Sequence, residues 1–137
     1  MSYLLNTNLV SEVMKFTPEQ VVVDWFEAND EKCFLSAVTI GEIERGIALL
    51  PTGKKKSHLQ AAFQEILSGL EERVLGFDFP VARRWANLTV SAQRKGRRLP
   101  VLDSMIEATA LYWDLTIVTR NTSDFREART HNPWLLG

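Results

Sequence analysis

The sequence predicts an α/β fold in which a mainly parallel central sheet is flanked by helices. Short apolar segments alternate with longer segments whose apolar residues recur at helical spacing. Strands that alternate with helices in this way are typical of three layers joined by right-handed crossovers. Two of the helical segments follow each other without a strand between them, which predicts a helical hairpin that protrudes from the sheet.

The predicted elements follow one another along the chain. The predicted strands are residues 3–5, 34–37, 74–77 and 116–119. The predicted helices are one that starts near residue 18, then residues 38–50 and 55–71, then one that runs from residue 78 through residue 92, and finally residues 104–113. The two helices on either side of residues 51–53 form the predicted hairpin.

Local sequence signals mark several helix ends. Thr17 is placed to cap a helix, with Pro18 at its first position and Gln20 completing a capping box. The segment 51–53, which contains proline and glycine, ends the helix before it. Asp78 is expected to cap the helix that follows it.

The composition bounds the class of protein. With 137 residues, 45% of them apolar, the chain is expected to fold as one domain over residues 1–137. No apolar run approaches the roughly 20 residues needed to cross a bilayer, and the N-terminus lacks the pattern of a secretory signal. The lone cysteine, Cys33, lies in an apolar run and fits a reducing compartment. A cytoplasmic protein with no membrane contact is therefore expected.

Polar and acidic residues recur at places where a parallel sheet gathers its functional groups. Asn6 follows the first strand, Glu42 lies early in a helix that follows a strand, and Asp103 opens a later helix. Asn121 and Asp124 follow the strand that ends at residue 119. Because the carboxyl ends of parallel strands share one edge of the sheet, these side chains are expected to converge. Carboxylates gathered there are hard oxygen ligands for Mg²⁺ or Mn²⁺.

Each of these residues also has an ordinary structural explanation. Glu42 could be a surface glutamate of its helix, as Glu44 is expected to be. Asp103 could be only a helix N-cap, Asp124 could begin a short turn, and Asn121 could cap that turn. The functional interpretation depends on the order of the set and its placement after strands.

The set resembles the site of PIN-domain ribonucleases, in particular the toxin subunits of VapBC-type toxin–antitoxin pairs and their FitB-like branch. The resemblance runs from Leu4 to about Trp134. Its matching stretches are residues 4–12, 35–36, 41–46, 100–103, 108–110, 119–121 and 132–134. In that family the first strand normally ends Leu-Leu-Asp-Thr-Asn, and here the Asp position is Asn6.

The resemblance implies roles for individual residues. Position 6, Glu42 and Asp103 would be the first three acidic positions, and either Asn121 or Asp124 the fourth. Mg²⁺ or Mn²⁺ would be held by the residues at four positions: Asn6, Glu42, Asp103 and Asp124. Three polar neighbours would orient the ligands or the attacking water: Thr7, Asn8 and Thr119.

The resemblance also implies an activity and partners. The activity is metal-dependent endoribonucleolytic cleavage, with tRNA-like substrates, by the toxin of a type II toxin–antitoxin system. The implied partners are a second copy of the chain, a cognate VapB-like antitoxin, and DNA only through that antitoxin, in a larger toxin–antitoxin assembly. A groove for the antitoxin is expected at four apolar residues: Ile47, Leu50, Phe63 and Leu67.

Asn6 changes the expected activity of this chain. An amide keeps the shape of the carboxylate but removes one charge, and it cannot accept a proton from a nucleophilic water. A loss of even ~1.4 kcal/mol is a tenfold loss of metal affinity. The chain is therefore expected to be inactive or severely impaired as a nuclease. Both an engineered substitution and a naturally degenerate copy account for Asn6.

Other interpretations remain open at the level of sequence. The missing acid favours a non-catalytic PIN-like module that binds RNA or a partner. A receiver-like phosphotransferase would need an Asp nucleophile where Asn6 stands. A DNA-binding repressor is disfavoured because no helix-turn-helix or basic arm is present. The net charge is −1, so RNA contact by the basic clusters at residues 54–56 and 94–98 gains weight only if they flank the acidic site.

Overall fold

A computed structural model describes residues 1–136 as a central sheet flanked by helices on both faces. The strands are β1 Tyr3–Leu5, β2 Cys33–Ser36, β3 Val74–Leu75, β4 Thr116–Val118 and β5 Thr130–His131. The helices are α1 Thr7–Met14, α2 Gln20–Asn29, α3 Ala37–Ala48, α4 Lys54–Leu70, α5 Phe79–Arg94 and α6 Val101–Trp113. Short 3₁₀ turns are Asp30–Lys32, Glu71–Arg73, Thr122–Asp124 and Pro133–Leu136.

The sheet is parallel at every pairing and has the strand order β3-β2-β1-β4-β5. The predicted parallel sheet is therefore confirmed. After β1 the chain builds outward through β2 and β3, then crosses back to place β4 on the other side of β1. The carboxyl ends of β1 and β4 consequently meet where the strand order reverses, which is the usual site of ligand binding in open α/β sheets.

Alternation along the strands creates a separate core on each face of the sheet. Leu5 and Val118 pack with apolar residues from α1, α2, α3 and α4, whereas Leu4 and Ile117 pack with α6. Helix α5 then packs on the outer side of α6 through Val81, Leu88 and Ala108. Successive residues of a strand point to opposite faces of the sheet, so helices pack on both faces and form the predicted three-layer architecture.

The helical hairpin is formed by α3 and α4, which are joined by residues 49–53 without an intervening strand. Phe63 and Leu70 are buried in the main core, so α4 packs on the body of the protein along most of its length. The connecting turn is the exposed part of the hairpin, and Leu49 is 69% exposed there.

The predicted capping box before α2 is wrong. The helix begins at Gln20, so Thr17 and Pro18 lie outside it, and the side chain of Glu19 makes no capping bond. The backbone N–H of Glu19 instead donates to Oε2 of Glu12, 3.1 Å away on α1. A buried carboxylate from the preceding helix thus accepts the N–H that the Glu or Gln of a capping box would otherwise satisfy. Asp78 does occupy the cap position of α5, but its side chain makes no capping bond either.

Other predicted elements also differ from the structure. Helix α6 begins at Val101 rather than Ser104, because Pro100 precedes it and places Asp103 inside the first turn. Strand β3 contains only Val74–Leu75. Helix α1 and the two-residue strand β5 were not predicted from the sequence, and both lie beside the polar edge of the sheet.

Among residues 1–136, no helix is long and apolar enough to cross a membrane. Cys33 is completely buried, as expected, and burial raises the pKa of its thiol to about 12. This cysteine is therefore a packing residue rather than a reactive group.

The buried carboxylate of Glu107 should be a main support of the loop that carries Asp124. Glu107 is 1% exposed, and its Oε2 accepts the backbone N–H groups of Glu127 and Ala128 at 3.0 and 3.1 Å. Glu107→Ala should lower the free energy of unfolding by about 2–3 kcal/mol, because two partly buried N–H groups lose their acceptor. Glu107→Gln should cost less. Urea unfolding would measure both, and Glu65→Ala on the exposed face of α4 is the matched control.

Candidate active site

A polar cleft of about 470 Å³ lies at the carboxyl edge of the sheet, where β1 and β4 end. Most of the predicted site residues line it: Asn6, Thr7, Asn8, Glu42, Asp103, Asn121 and Asp124. Thr119 lies beneath the cleft and is completely buried. The structure therefore brings all the predicted residues to one place.

The hydroxyl of Thr119 joins the segments that form the floor of the cleft. Its Oγ1 accepts hydrogen bonds from Nδ2 of Asn6 at 3.0 Å and Nδ2 of Asn8 at 3.1 Å. The backbone N–H of Asn121 donates to the same oxygen at 3.1 Å. One buried hydroxyl thus fixes the ends of β1 and β4 and the turn that follows β4.

Asn6 is held by both ends of its amide. Its Oδ1 accepts the backbone N–H of Thr7 at 2.9 Å and so caps α1, and its Nδ2 donates to Thr119. Only 6% of its surface is exposed. A carboxylate at this position could accept from Thr7 but could not donate to Thr119, so the hydroxyl would have to donate instead. The side chain is fixed in the cleft as a neutral group.

Glu42 reaches the cleft from α3, whose start is fixed directly after β2 by the cap that Ser36 makes to the N–H of Val38. The hydroxyl of Thr7 donates to Oε1 of Glu42 at 3.0 Å. Glu44, two residues on, is exposed and lines a different depression. The interpretation of Glu42 as a plain surface residue is therefore wrong, whereas it holds for Glu44.

Asp103 and Asp124 face each other across the other side of the cleft. Burial, and then the charge of Asp124, raise the pKa of the Asp103 carboxyl. Asp103 lies in the first turn of α6 and is not its cap, and the side chain of Asn121 caps nothing. The simple capping roles considered for both residues are therefore wrong. Two acids this close together form a site that attracts positive charge.

Five further residues line the cleft and were not predicted as site residues: Ser11, Glu12, Lys15, Arg120 and Trp134. Glu12 is 4% exposed and lies 3.1 Å from Nζ of Lys15. Burial works to raise the pKa of Glu12, but the hydrogen bonds from Lys15 and the N–H of Glu19 outweigh it, so the pKa is lowered. The guanidinium of Arg120 lies over the ring of Trp134, 5.5 Å from its centroid. The sequence signal for Glu12 was its own charge, because Glu12 lies on the face of α1 that is otherwise apolar and buried.

An apolar groove of about 620 Å³ opens beside the cleft. It shares several lining residues with the cleft: Thr7, Ser11, Lys15 and Glu42. Its apolar walls come from α1, α3 and α4 and the turn after α1: Met14, Phe16, Ile43, Ile47, Leu50 and Leu59. Two of the four residues predicted for a groove line it, but Phe63 and Leu67 do not, because both pack in or against the core.

The repulsion around Asp103 gives a stability prediction. An acid whose pKa is raised on folding stabilises the fold when protonated, and this contribution is lost as the pH rises through the raised pKa. Asp103→Asn should therefore raise the melting temperature at pH 7, and the gain should shrink on acidification and vanish below pH 3.8, the ordinary pKa of the group. Thermal unfolding across this range would measure it. Asp24→Asn on the exposed face of α2 is the control, and an equal gain there would contradict a penalty specific to Asp103.

Comparisons with known proteins agree with this geometry. Residues 3–130 match the PIN domain. The chain is 36% identical over 135 residues to VapC ribonuclease Y4jK of Sinorhizobium fredii, covering 96% of each chain. It is 38% identical over 135 residues to toxin FitB of Neisseria gonorrhoeae, covering 96% of this chain and 97% of that one.

A solved structure shows the same fold. The crystal structure of FitAcB from Neisseria gonorrhoeae superposes with a TM-score of 0.88 at 38% identity, over 96% of this chain and 98% of the matched chain. The chain therefore belongs to the PIN-domain family and is a homologue of the VapC and FitB toxins.

Proposed function

We propose that this chain, folded as a single domain, is the toxin of a type II toxin–antitoxin pair and carries a metal-dependent endoribonuclease site that Asn6 impairs. The observation that carries the proposal is the convergence of Asn6, Glu42, Asp103 and Asp124 in one cleft at the switch point of the sheet. Two homologues are named as a ribonuclease and a toxin. Acids gathered at this edge of the sheet are suited to cation-assisted hydrolysis of a phosphodiester.

The donor set of the cleft fits a hard divalent cation in part. Asp103 and Asp124 are oxygen donors that repel each other, and Glu42 adds a third carboxylate to the same cleft. Yet among residues 1–136 no three Asp, Glu, His or Cys side chains lie close enough to hold one ion. We therefore expect weak binding of Mg²⁺ or Mn²⁺, with Asn6, Glu42, Asp103 and Asp124 as the ligands.

The residues of the chain have distinct roles in the proposed reaction. A bound Mg²⁺ or Mn²⁺ would supply an activated water and offset charge at the phosphate. Thr7 orients Glu42 through its hydroxyl. Thr119 and Asn8 hold the end of β4 and so fix the turn that carries Asn121 and Asp124. Because Asn121 lines the cleft without capping a helix, its amide is available to substrate or water.

Restoring the acid is the direct test of the activity. Asn6→Asp should produce Mg²⁺- or Mn²⁺-dependent cleavage of RNA, which EDTA abolishes, and growth arrest on expression. In that background, Glu42→Gln and Asp103→Asn should each lower activity by at least ~100-fold. Glu44→Gln is the matched control and should do little, because Glu44 points away from the cleft.

A non-catalytic module that binds RNA or a partner is the second candidate. It is favoured by the neutral amide of Asn6 and by the lack of a three-acid cluster in residues 1–136. If the Asn6→Asp variant is folded but cleaves no RNA with either metal, the non-catalytic function is correct. Cleavage by the unchanged chain at the rate of the variant would contradict the role given to Asn6.

We propose that the apolar groove binds the antitoxin. Several of the solved homologues are toxin–antitoxin complexes, among them FitAB bound to a DNA fragment. The groove is apolar, borders α1, α3 and α4, and runs into the acidic cleft through Thr7 and Glu42. An amphipathic helix laid in such a groove would bury its apolar face and bring any basic residue near the acids. DNA contact would then come through the antitoxin rather than through this chain.

We propose further that the chain forms a homodimer. Two helices on the far side of the sheet, α5 and α6, expose large apolar side chains: Phe79, Val90, Val101, Leu102, Tyr112 and Trp113. Exposed apolar side chains in such number are typical of a surface that packs against another protein. The antitoxin groove lies on the other face, so both interfaces could form in one larger assembly.

Gly46 offers a test of the groove that should leave the fold intact. It lines the groove within α3, and a Cβ added to it meets nothing within 4 Å. Gly46→Leu should therefore fill the groove while favouring the helix, and antitoxin affinity should fall at least ~10-fold. Gly69→Leu in α4 is the matched control, since it is equally open but outside the groove. Calorimetric titration with the antitoxin would show equal affinities if the groove is not the binding surface.

A further inference from the structure

A second, basic pocket adjoins the acidic cleft. It has a volume of about 230 Å³, and its charged lining residues are Arg97, Arg98, Asp124 and Arg126. Asp124 lines both the pocket and the cleft, so the two adjoin at this side chain. The basic cluster at residues 94–98 therefore does flank the acidic site.

The turn after α5 places the arginines beside the cleft. Gly96 has a φ of 74°, and its N–H donates to the carbonyl of Gln93 at 3.0 Å. The N–H of Arg97 donates back to the carbonyl of Ala92 at 2.9 Å. These two bonds form a Schellman motif, which requires the left-handed conformation that glycine adopts without strain. The chain thus turns sharply and enters the segment 97–100 that leads to α6.

The charges of the pocket are only partly balanced. Arg97 lies 3.7 Å from the carboxylate of Glu127 and is 21% exposed. Arg98 and Arg126 are exposed, and neither forms an ion pair with another side chain of residues 1–136. Against these cations the pocket itself offers only Asp124, which also faces Asp103. Two guanidinium groups are therefore available for an external anion.

We propose that this pocket binds a backbone phosphate of the RNA strand, adjacent to the phosphate that occupies the acidic cleft. The inference rests on the proposed nuclease function, which supplies the polyanion. Guanidinium groups match phosphate oxygens with paired hydrogen bonds, and they retain their charge at any pH of interest. A cleft lined by acids repels phosphates in the absence of cations, so anchoring the neighbouring phosphate outside it would offset that repulsion. Arg98 and Arg126 would then position the strand without taking part in bond cleavage.

Binding can be measured on the unchanged chain, because its impaired catalysis leaves the RNA intact. Fluorescence anisotropy with a labelled single-stranded oligoribonucleotide, at several salt concentrations, gives both affinity and salt dependence. Arg98→Ala and Arg126→Ala should each weaken binding several-fold, and losing the phosphate contact should make the slope of log K against log salt shallower by about 0.7. Arg98→Lys keeps the charge and should retain most of the slope.

Lys32 provides the matched control. It is an exposed lysine just before β2, at the amino edge of the parallel sheet and so opposite the cleft, and it forms no ion pair with the side chains of residues 1–136. Lys32→Ala removes the same charge but should change neither affinity nor slope. Equal effects of Lys32→Ala and Arg98→Ala would mean that RNA binding depends on the overall charge of the protein rather than on the pocket, and would overturn the proposal.

A cleavage assay separates this inference from the proposed function. In the Asn6→Asp background, Arg98→Ala and Arg126→Ala should raise KM several-fold with little change in kcat. If Asn6→Asp cleaves RNA while both arginine variants match Lys32→Ala in binding and in KM, the pocket inference is wrong and the function stands. If Asn6→Asp cleaves nothing, the function is wrong, and the anisotropy result alone decides the pocket. If the arginine variants weaken antitoxin binding but not RNA binding, the pocket belongs to a protein interface and the proposal is overturned.

Discussion

The buried hydroxyl of Thr119 is the interaction on which the site depends. β1 and β4 are separated by most of the chain, and their carboxyl ends meet only because the strand order reverses between them. Hydrogen bonds from Asn6, Asn8 and the N–H of Asn121 to Oγ1 of Thr119 fix this junction. The capping of α1 by Asn6 and the placement of the turn with Asp124 follow from it. Because the residues around Thr119 are buried, the effective dielectric constant at the floor of the cleft is low, and this strengthens the charge interactions in the cleft.

The acidic residues of the cleft repel one another, and the same charges attract a cation. Asp103 and Asp124 repel each other, whereas the hydrogen bonds of Glu12 to Lys15 and to the N–H of Glu19 outweigh its burial and lower its pKa. Replacing a carboxylate by Asn6 lowers the repulsion, since a unit charge pair at about 4 Å and an effective dielectric near 20 is on the order of 4 kcal/mol. The same replacement removes attraction for a cation. An amide in place of an acid at position 6 therefore stabilises the metal-free protein and weakens its binding of a metal.

The sequence predicted the features that depend on local pattern. Alternating apolar segments indicated the parallel sheet, and residues after strands, such as Asn6 and Glu42, indicated the cleft. Features that depend on tertiary partners were missed. Glu107 accepts from backbone groups 20 and 21 residues away, so nothing beside it in the sequence signals its role. Glu12 accepts from the backbone N–H of Glu19 before the next helix, and its only sequence signal was its charge at an apolar position of α1. Strand β5 has only two residues and exists because β4 offers an edge to pair with. Asp103 was predicted to open a helix over residues 104–113, although the helix already begins at Val101, directly after Pro100.

The central claim is that the neutral amide of Asn6 limits metal binding in an otherwise intact acidic cleft. The most direct measurement is calorimetric titration of Mn²⁺ into the unchanged chain and into its Asn6→Asp variant, at one pH and low salt. The account predicts that the variant binds the ion at least ~10-fold more tightly, which corresponds to ~1.4 kcal/mol, and that Asp103→Asn cancels the gain. Equal affinities in two well-folded proteins would contradict it.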